Sequence, residues 1–272
     1  MSEVDLDAYF ARIGYSGPRE PTLEVLRALH ALHPAAITFE AIDCLLDRGV
    51  DISPAAVDAK LIHAGRGGYC FEHNSLFGRV LSALGFQVEG ISARVRWNMP
   101  PETPVQPRTH HVLKVIAEDE PWLVDVGFGG CVLTAPLRLR PEIEQATPHD
   151  LYRLTETSSG LMLEVKREAG WQSAYEVSLL PCVPRDYEMA NWFTSTHPTS
   201  HFRRNLLAAR STPEARYALL FNRLTTRPVG GEPTVELLDE AGIEAALRDI
   251  FGLPVEPSWR PLYSRAIELS GS

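Results

Sequence analysis

The stretch Arg66-Gly67-Gly68-Tyr69-Cys70-Phe71-Glu72 sets two backbone-releasing glycines just before a cysteine. From Phe71 onward, Phe77, Val80, Leu81 and Leu84 recur at spacings of three and four, which is one apolar helix face, and Gly85 ends it. Cys70 is therefore read at a helix N-terminus. After Gly85 the period changes to two: Ile91, Ala93, Val95 and Trp97 alternate with Ser92, Arg94 and Arg96, the mark of a half-buried strand. The chain passes from α to β here.

Upstream of this point, residues 1 to about 87 read as helical. Pro21 precedes Leu23, Leu26 and Leu29; Ser53-Pro54 supplies an N-cap and a proline at the first helical position; Gly65 supplies a stop. Downstream, strand candidates Thr109 to Ile116 and Trp122 to Val126 flank Ala117-Glu118-Asp119-Glu120-Pro121, a composition suited to a hairpin loop. Strands follow at Leu151 to Thr155 and Leu161 to Lys166, around Thr157-Ser158-Ser159-Gly160. This middle region reads as a small barrel or curled sheet. Beyond Pro184, an aromatic-rich helix, a strand pair near Tyr217 to Thr225 and a terminal helix through Ile243, Leu247, Ile250 and Phe251 make a mixed α/β closing segment.

A chain of 272 residues exceeds the usual single core, so two or three packed subdomains, or one large domain with a lid, are expected. With 44% hydrophobic and 22% charged residues it has the composition of a soluble globular protein. The net charge of −9 comes without any basic stripe interleaved with aromatics, which argues against nucleic acid as a partner. The acidic start Met1-Ser2-Glu3-Val4-Asp5 lacks a basic n-region and an apolar h-region, and no stretch is apolar enough to span a bilayer. The expectation is a cytoplasmic protein with no membrane partner. Cys44, Cys70, Cys131 and Cys182 form no C-x-x-C pair, so neither a metal site nor a disulfide framework is expected.

A cysteine at a helix start meets aligned peptide dipoles that favour the thiolate, and unpaired N–H groups that hold an oxyanion. A small buried hydrophobe after a tight glycine turn fits the same residues equally well. A nucleophile needs a base, and the base needs a group that fixes its tautomer. His110 and Asp125 sit on the two strands of the proposed hairpin and are the best-placed candidates. They share a face only if the register sum is odd, which predicts a four-residue loop or a β-bulge. His111 is the rival of His110, since neighbouring strand residues point to opposite faces. His63, His73 and His201 have no carboxylate at a telling spacing. Glu40 and Arg66 are candidates for an ion pair beneath the site, and Gly127-Phe128-Gly129-Gly130 offers the close backbone approach that a pyrophosphate-bearing donor needs.

Three blocks carry a resemblance: Arg66-Gly67-Gly68-Tyr69-Cys70-Phe71-Glu72-His73-Asn74, then Thr109-His110, then Val124-Asp125-Val126-Gly127-Phe128-Gly129. In order and spacing the chain resembles the arylamine N-acetyltransferase family over nearly its whole length. The resemblance implies an α+β, papain-like cysteine-transferase fold: an N-terminal helical bundle (1–87) carrying the nucleophile, a central β-barrel (88–198) carrying His and Asp, and a C-terminal α/β lid (199–272). It further implies a Cys70-His110-Asp125 triad that takes acetyl from acetyl-CoA and passes it, by a ping-pong route, to an aromatic amine or hydrazine. By the same analogy Gly127, Phe128, Gly129, Gly130, Ser200 and Phe202 face the coenzyme, Phe39, Phe128 and Tyr69 face the acceptor, no metal is needed, and a homodimer is the candidate assembly. The chain departs from the family at Thr38, commonly proline, and Ala41, commonly asparagine, which bears on the preferred amine and acyl donor. The alternatives are an amide synthase using a longer acyl thioester, a papain-like or transglutaminase-like enzyme acting on proteins, and a silent ligand-binding relative.

Overall fold

Helix-end chemistry shapes the first third of the chain. In the computed structural model, which describes residues 4–100 and 102–270, α1 (Leu6–Ile13) starts on Asp5, whose carboxylate accepts from Ala8 N, and stops at Gly14 with φ 70°. Met1–Glu3 of the acidic start lie outside the described residues. The next helix, α2 (Leu23–Ala36), starts on Thr22, whose hydroxyl accepts from Val25 N at 3.3 Å. Each cap satisfies a backbone donor that has no partner inside its helix. After β1 (Phe39–Glu40) and α3 (Ile42–Leu45), α4 (Pro54–Val57) has Ser53 at its N-cap position, without a side-chain cap bond, and runs on as a π-type turn over Asp58–His63. Gly65 then stops it at φ 66°. The long helix α5 (Cys70–Ala83) follows, with Cys70 as its first residue and Gly85 beyond its end at φ 93°.

Eight antiparallel strands form the middle: β2 (Gln87–Val95), β3 (His110–Ala117), β4 (Glu120–Val124), β5 (Leu137–Arg138), β6 (Glu144–Ala146), β7 (Leu151–Glu156), β8 (Leu161–Arg167) and β9 (Gly170–Pro181). Their order is β5-β4-β3-β2-β9-β8-β7-β6, a sheet curled into a nearly closed barrel. Among the described residues no ladder joins its two edges. Instead the Gln145 side-chain amide accepts from Arg138 N at 2.7 Å and donates to Arg138 O at 3.0 Å, so one side chain does the work of a strand pair. The barrel core includes Ile91, Val112, Leu123, Tyr152, Leu163 and Tyr175.

The β3–β4 hairpin corrects the expected loop. Ala117 pairs with Glu120, leaving a two-residue turn of Glu118 and Asp119 with φ 54° and 60°. Two left-handed residues make the tight primed turn whose twist matches the flanking strands, and aspartate tolerates that conformation. The pairing of Leu113 with Val124 still gives the odd register sum, so His110 and Asp125 share a face without a four-residue loop or a bulge.

The closing segment contains α6 (Pro184–Thr196), β10 (Leu207–Ser211), β11 (Ala215–Leu220), β12 (Arg223–Pro228), β13 (Thr234–Leu237), α7 (Glu240–Ala245), a π-type turn to Ile250, and α8 (Arg260–Ser270). Two features differ from the sequence reading. The helix through Ile243 and Leu247 is not terminal, because α8 follows it and buries Leu262, Tyr263 and Ala266; Pro261 hides this start but sits in the first turn, where no donor is needed. The short strand β1 lies in a region read as helical, yet it pairs with β10 (Phe39 opposite Ala209) at the edge of the five-stranded sheet β1-β10-β11-β12-β13. Two residues are too few to show a period. On its other side, Glu40 N donates to Gly68 O at 2.7 Å, so β1 ties the glycine loop before Cys70 to the C-terminal sheet.

Candidate active site

The glycines before Cys70 are required by approach distances. A Cβ on Gly67 would stand 2.0 Å from the Thr38 carbonyl oxygen, and one on Gly68 2.6 Å from the Glu72 carboxylate. Glu72 folds back to accept from Tyr69 N at 3.0 Å, which caps α5. The buried Glu72 carboxylate is paired with Lys60 Nζ at 2.7 Å, while Arg66 and Glu40 form the ion pair anticipated from the sequence, also at 2.7 Å, with Asp43 at 3.2 Å. Charge buried this way is tolerated because each ion has a partner.

Cys70 is 4% exposed; its thiol reaches the Thr109 carbonyl oxygen at 3.8 Å, and its sulfur is near enough to His110 to favour the charged imidazole. His110 Nε2 stands 2.7 Å from Asp125 Oδ2, which leaves Nδ1 for the sulfur side. Burial opposes a charge on His110, but the Asp125 carboxylate, its hydrogen bond and the Cys70 contact outweigh burial and raise His110 above its ordinary range. Asp125 shows the reciprocal effect: burial works against it, yet His110, Asn74 and Gly127 N–H hold it below the usual carboxylate range. The three side chains named from the sequence thus meet in one place, arranged for a proton to move between sulfur and imidazole while the carboxylate fixes the ring.

His111 points the other way. Its ring lies 4.0 Å from that of Tyr187, and burial followed by the charge on His110 push it down to about 3. His63 and His201 are exposed. His73 is fully buried in a chain of hydrogen bonds whose direction is fixed by its end. The Thr38 carbonyl only accepts, so His73 Nε2 donates to it at 3.2 Å, which makes His73 Nδ1 the acceptor from His33 Nε2 at 2.9 Å. His33 Nδ1 must then accept from the Tyr9 hydroxyl at 2.8 Å. This chain joins α1, α2 and α5 behind Cys70.

Two residues at the site were not assigned a role from sequence. Asn74, one turn beyond Cys70 and so on the same helix face, donates through Nδ2 to Asp125 Oδ1 at 2.9 Å and to His111 O at 2.7 Å, and accepts from Val126 N at 3.0 Å. The spacing of four was the available signal. His30 accepts from Asp125 N at 3.3 Å and is held down to about 4 by burial; nothing in its spacing points there.

The residues expected around donor and acceptor divide into reachable and enclosed ones. Phe128 is half-buried, with ring centroids 5.0 Å from His110 and 4.8 Å from Tyr175. Phe39 packs 6.2 Å from Phe202, and both are partly exposed. Tyr69 is fully buried, its hydroxyl donating to Asn191, and so backs the site rather than lining it. Ser200 is buried too, its hydroxyl taken by Thr194 O. Gly127 has a packing role: its N–H goes to Asp125 Oδ1 at 2.9 Å, and a Cβ there would stand 2.9 Å from Cys70 Cα. Gly129 has φ 78° and faces the Phe39 ring, while Gly130 is exposed. Ala41 lies in the apolar cluster with Tyr69, Cys70 and Phe71, and Thr38 bonds to Phe251 O. Among the described residues no group of three or more His, Cys, Asp or Glu is arranged to hold a metal, and no helix is long and apolar enough to cross a membrane.

Known proteins share both the sequence and the fold of this chain. The N-acetyltransferase family model matches residues 22–260. The chain is 42% identical over 255 residues to an arylamine N-acetyltransferase of Mycobacterium tuberculosis, covering 93% of this chain and 90% of that protein. It is 41% identical over 253 residues to one of Escherichia coli, covering 92% and 89%. Among solved structures, Mycobacterium marinum arylamine N-acetyltransferase in complex with CoA superposes with a TM-score of 0.92 at 42% identity, covering 97% of this chain and 99% of that one. The chain belongs to the arylamine N-acetyltransferase family.

Proposed function

We propose that this protein transfers acetyl from acetyl-CoA to an aromatic amine or hydrazine through an acetyl-Cys70 intermediate. The observation that carries the reading is the contiguous set of Cys70 Sγ, His110 and Asp125, with His110 Nε2 2.7 Å from the carboxylate.

In the first half-reaction the Cys70 proton passes to His110, Sγ attacks the acetyl carbonyl, and an oxyanion forms near the first N–H groups of α5, which precede its first backbone bonds (Glu72 N and His73 N, both to Tyr69 O). The bond from carbonyl carbon to the CoA sulfur then breaks, and His110 returns the proton to the departing thiolate. In the second half-reaction the amine nitrogen attacks the acetyl-Cys70 carbonyl, His110 takes the amine proton, and the bond to Sγ breaks to give the amide and Cys70. Asp125 keeps the imidazole oriented through both halves.

In this reading the half-buried Phe128 and Phe39 receive the acceptor ring. Phe202 and the Gly129–Gly130 turn, with Gly130 exposed, border the coenzyme path. Gly127, Tyr69 and Ser200 support it from beneath, since their polar groups or free space are already used. The division at residues 87 and 198 follows as a functional one: nucleophile, base and lid.

Intact-protein mass spectrometry after mixing with acetyl-CoA alone tests the proposal. The wild type is expected to gain one acetyl group that an aromatic amine removes. No adduct, or the same adduct on Cys70→Ala, overturns it.

A further inference from the structure

Behind the Gly129–Gly130 turn lies a buried polar network that the transfer reaction does not use. Asp150 holds two arginines, Arg216 through Oδ2 at 2.8 Å and Arg167 through Oδ1. Arg216 is 4% exposed and also donates to the Tyr152 hydroxyl at 3.2 Å and to Ser211 Oγ at 3.0 Å. The Tyr152 hydroxyl, in the barrel core, donates in turn to Cys131 O at 3.2 Å, while Arg167 reaches Cys131 Sγ at 3.4 Å. Cys131 is thus gripped at both its carbonyl and its sulfur.

Cys131 is the residue that follows Gly130, and the turn is closed by Val132 N, which donates to Gly129 O at 3.1 Å. Gly130 is exposed on the outer side, and no acceptor among the described residues takes the N–H groups of Gly129, Gly130 or Cys131. The inner side rests on β11, the strand that carries Arg216: a Cβ on Gly130 would stand 3.6 Å from the Ala218 Cβ. Two successive glycines have little rigidity of their own, so the shape of the turn is set by what holds its neighbours.

We propose that Tyr152 is a positioning residue for the donor half-reaction: through Cys131 it fixes the Gly129–Gly130 turn in the shape that receives the pyrophosphate of acetyl-CoA, with Arg216 and Asp150 orienting its hydroxyl. The inference rests on the acyl-Cys70 reading and the coenzyme path given above. The hydroxyl has one hydrogen, and Asp150, 3.3 Å away, is already occupied by the two arginines, so that hydrogen goes to the carbonyl belonging to the turn. A buried ion pair gains little stability over apolar packing of the same volume; what this one adds is the direction of the bonds it supports. None of these bonds involves Cys70, His110 or Asp125, so loosening the network acts on the donor and spares the thiol.

The test compares two acetyl donors on the full chain: acetyl-CoA, and p-nitrophenyl acetate, which has no pyrophosphate for the turn to hold. Loading of Cys70 is followed by intact mass, with Cys70→Ala as the blank. Tyr152→Phe keeps the ring and removes the hydroxyl. It is expected to lower the loading rate from subsaturating acetyl-CoA about tenfold and to leave the rate from the ester within about twofold. Arg216→Lys keeps a charge beside Asp150 but cannot also span Ser211 and Tyr152, and is expected to shift the two rates in the same way. A loss equal for the two donors, as an unfolded variant would give, assigns the network to stability and overturns the inference alone, as does an unchanged acetyl-CoA rate. A wild type that takes acetyl from the ester alone, or from neither donor, overturns the reading above and the inference with it.

Discussion

Asn74 and Asp125 clamp α5 to the sheet: the Asn74 amide donates to Asp125 Oδ1 at 2.9 Å, while its own carbonyl accepts from Val126 N. The carboxylate that orients His110 is therefore itself oriented from one turn below Cys70. Asn74→Ala removes a hydrogen bond from three buried groups (His111 O, Val126 N and Asp125 Oδ1, which keeps Gly127 N–H) and is expected to cost about 3 kcal/mol of stability. Activity of the folded fraction should fall by about tenfold as the carboxylate loosens. Urea unfolding and steady-state rates on the same sample check both.

His110 and His111 are neighbours with opposite surroundings, one beside sulfur and carboxylate, the other against Tyr187. His110→Gln is expected to lower kcat/KM by about 10³-fold, the worth of a positioned base, and His111→Gln to stay within about tenfold of wild type. Equal losses in the two variants would mean that the imidazole facing the thiol is misassigned.

Gly127 is set apart from the other glycines of its turn by what lies behind it. A methyl group there meets Cys70 Cα at 2.9 Å, a backbone atom at the head of α5 that cannot swing aside. Gly127→Ala is expected to displace the thiol from His110 and lower kcat by about 10²-fold, with KM for the amine much less affected. Gly129→Ala, strained by its φ of 78° and by a Cβ 3.3 Å from the Phe39 ring, which is a side chain and not backbone, should cost about 1 kcal/mol of stability and little rate. Parallel kinetics on the two variants distinguish a steric role at 127 from a general need for glycine.

The buried histidines predict acid lability. His30 and His73 are held down to about 4 and His111 to about 3, and His33 is also lowered, burial being the largest cause in each. Between pH 6.5 and about 4 the unfolded chain binds protons that the folded chain refuses, so stability falls as pH falls, by up to about 1.4 kcal/mol per pH unit for each histidine. His110 has the opposite sign: its pKa is raised, so its contribution is complete below pH 6.5 and fades as pH rises. A thermal midpoint that drops steeply from pH 6.5 to 4.5 is expected in circular dichroism, and a flat profile there would contradict the neutral state of the cluster.

Much of this site was legible because it depends on local periods. The spacing of Phe77, Val80, Leu81 and Leu84 fixes α5 and hence Cys70 at its head, and strand alternation separates His110 from His111. Loop length was harder, because Ala117, Glu120 and Pro121 look like loop residues and only their pairing makes them strand. The duty of Asn74 was half visible in its spacing from Cys70, whereas His30 lies 95 residues from the group it meets. Tyr69 and Ser200 were placed at the ligand by analogy, and sequence carries no sign that their hydroxyls are spent on Asn191 and Thr194.

The two-residue strand Phe39–Glu40 belongs by position to the helical part and by pairing to the last sheet, while its far edge grips the loop that presents Cys70. The parts of this chain are therefore not exchangeable cassettes. A chimera that borrowed its closing sheet from a relative would have to rebuild the seat of Cys70, and any shift of β10 is passed through a single extended dipeptide to the sulfur-bearing turn.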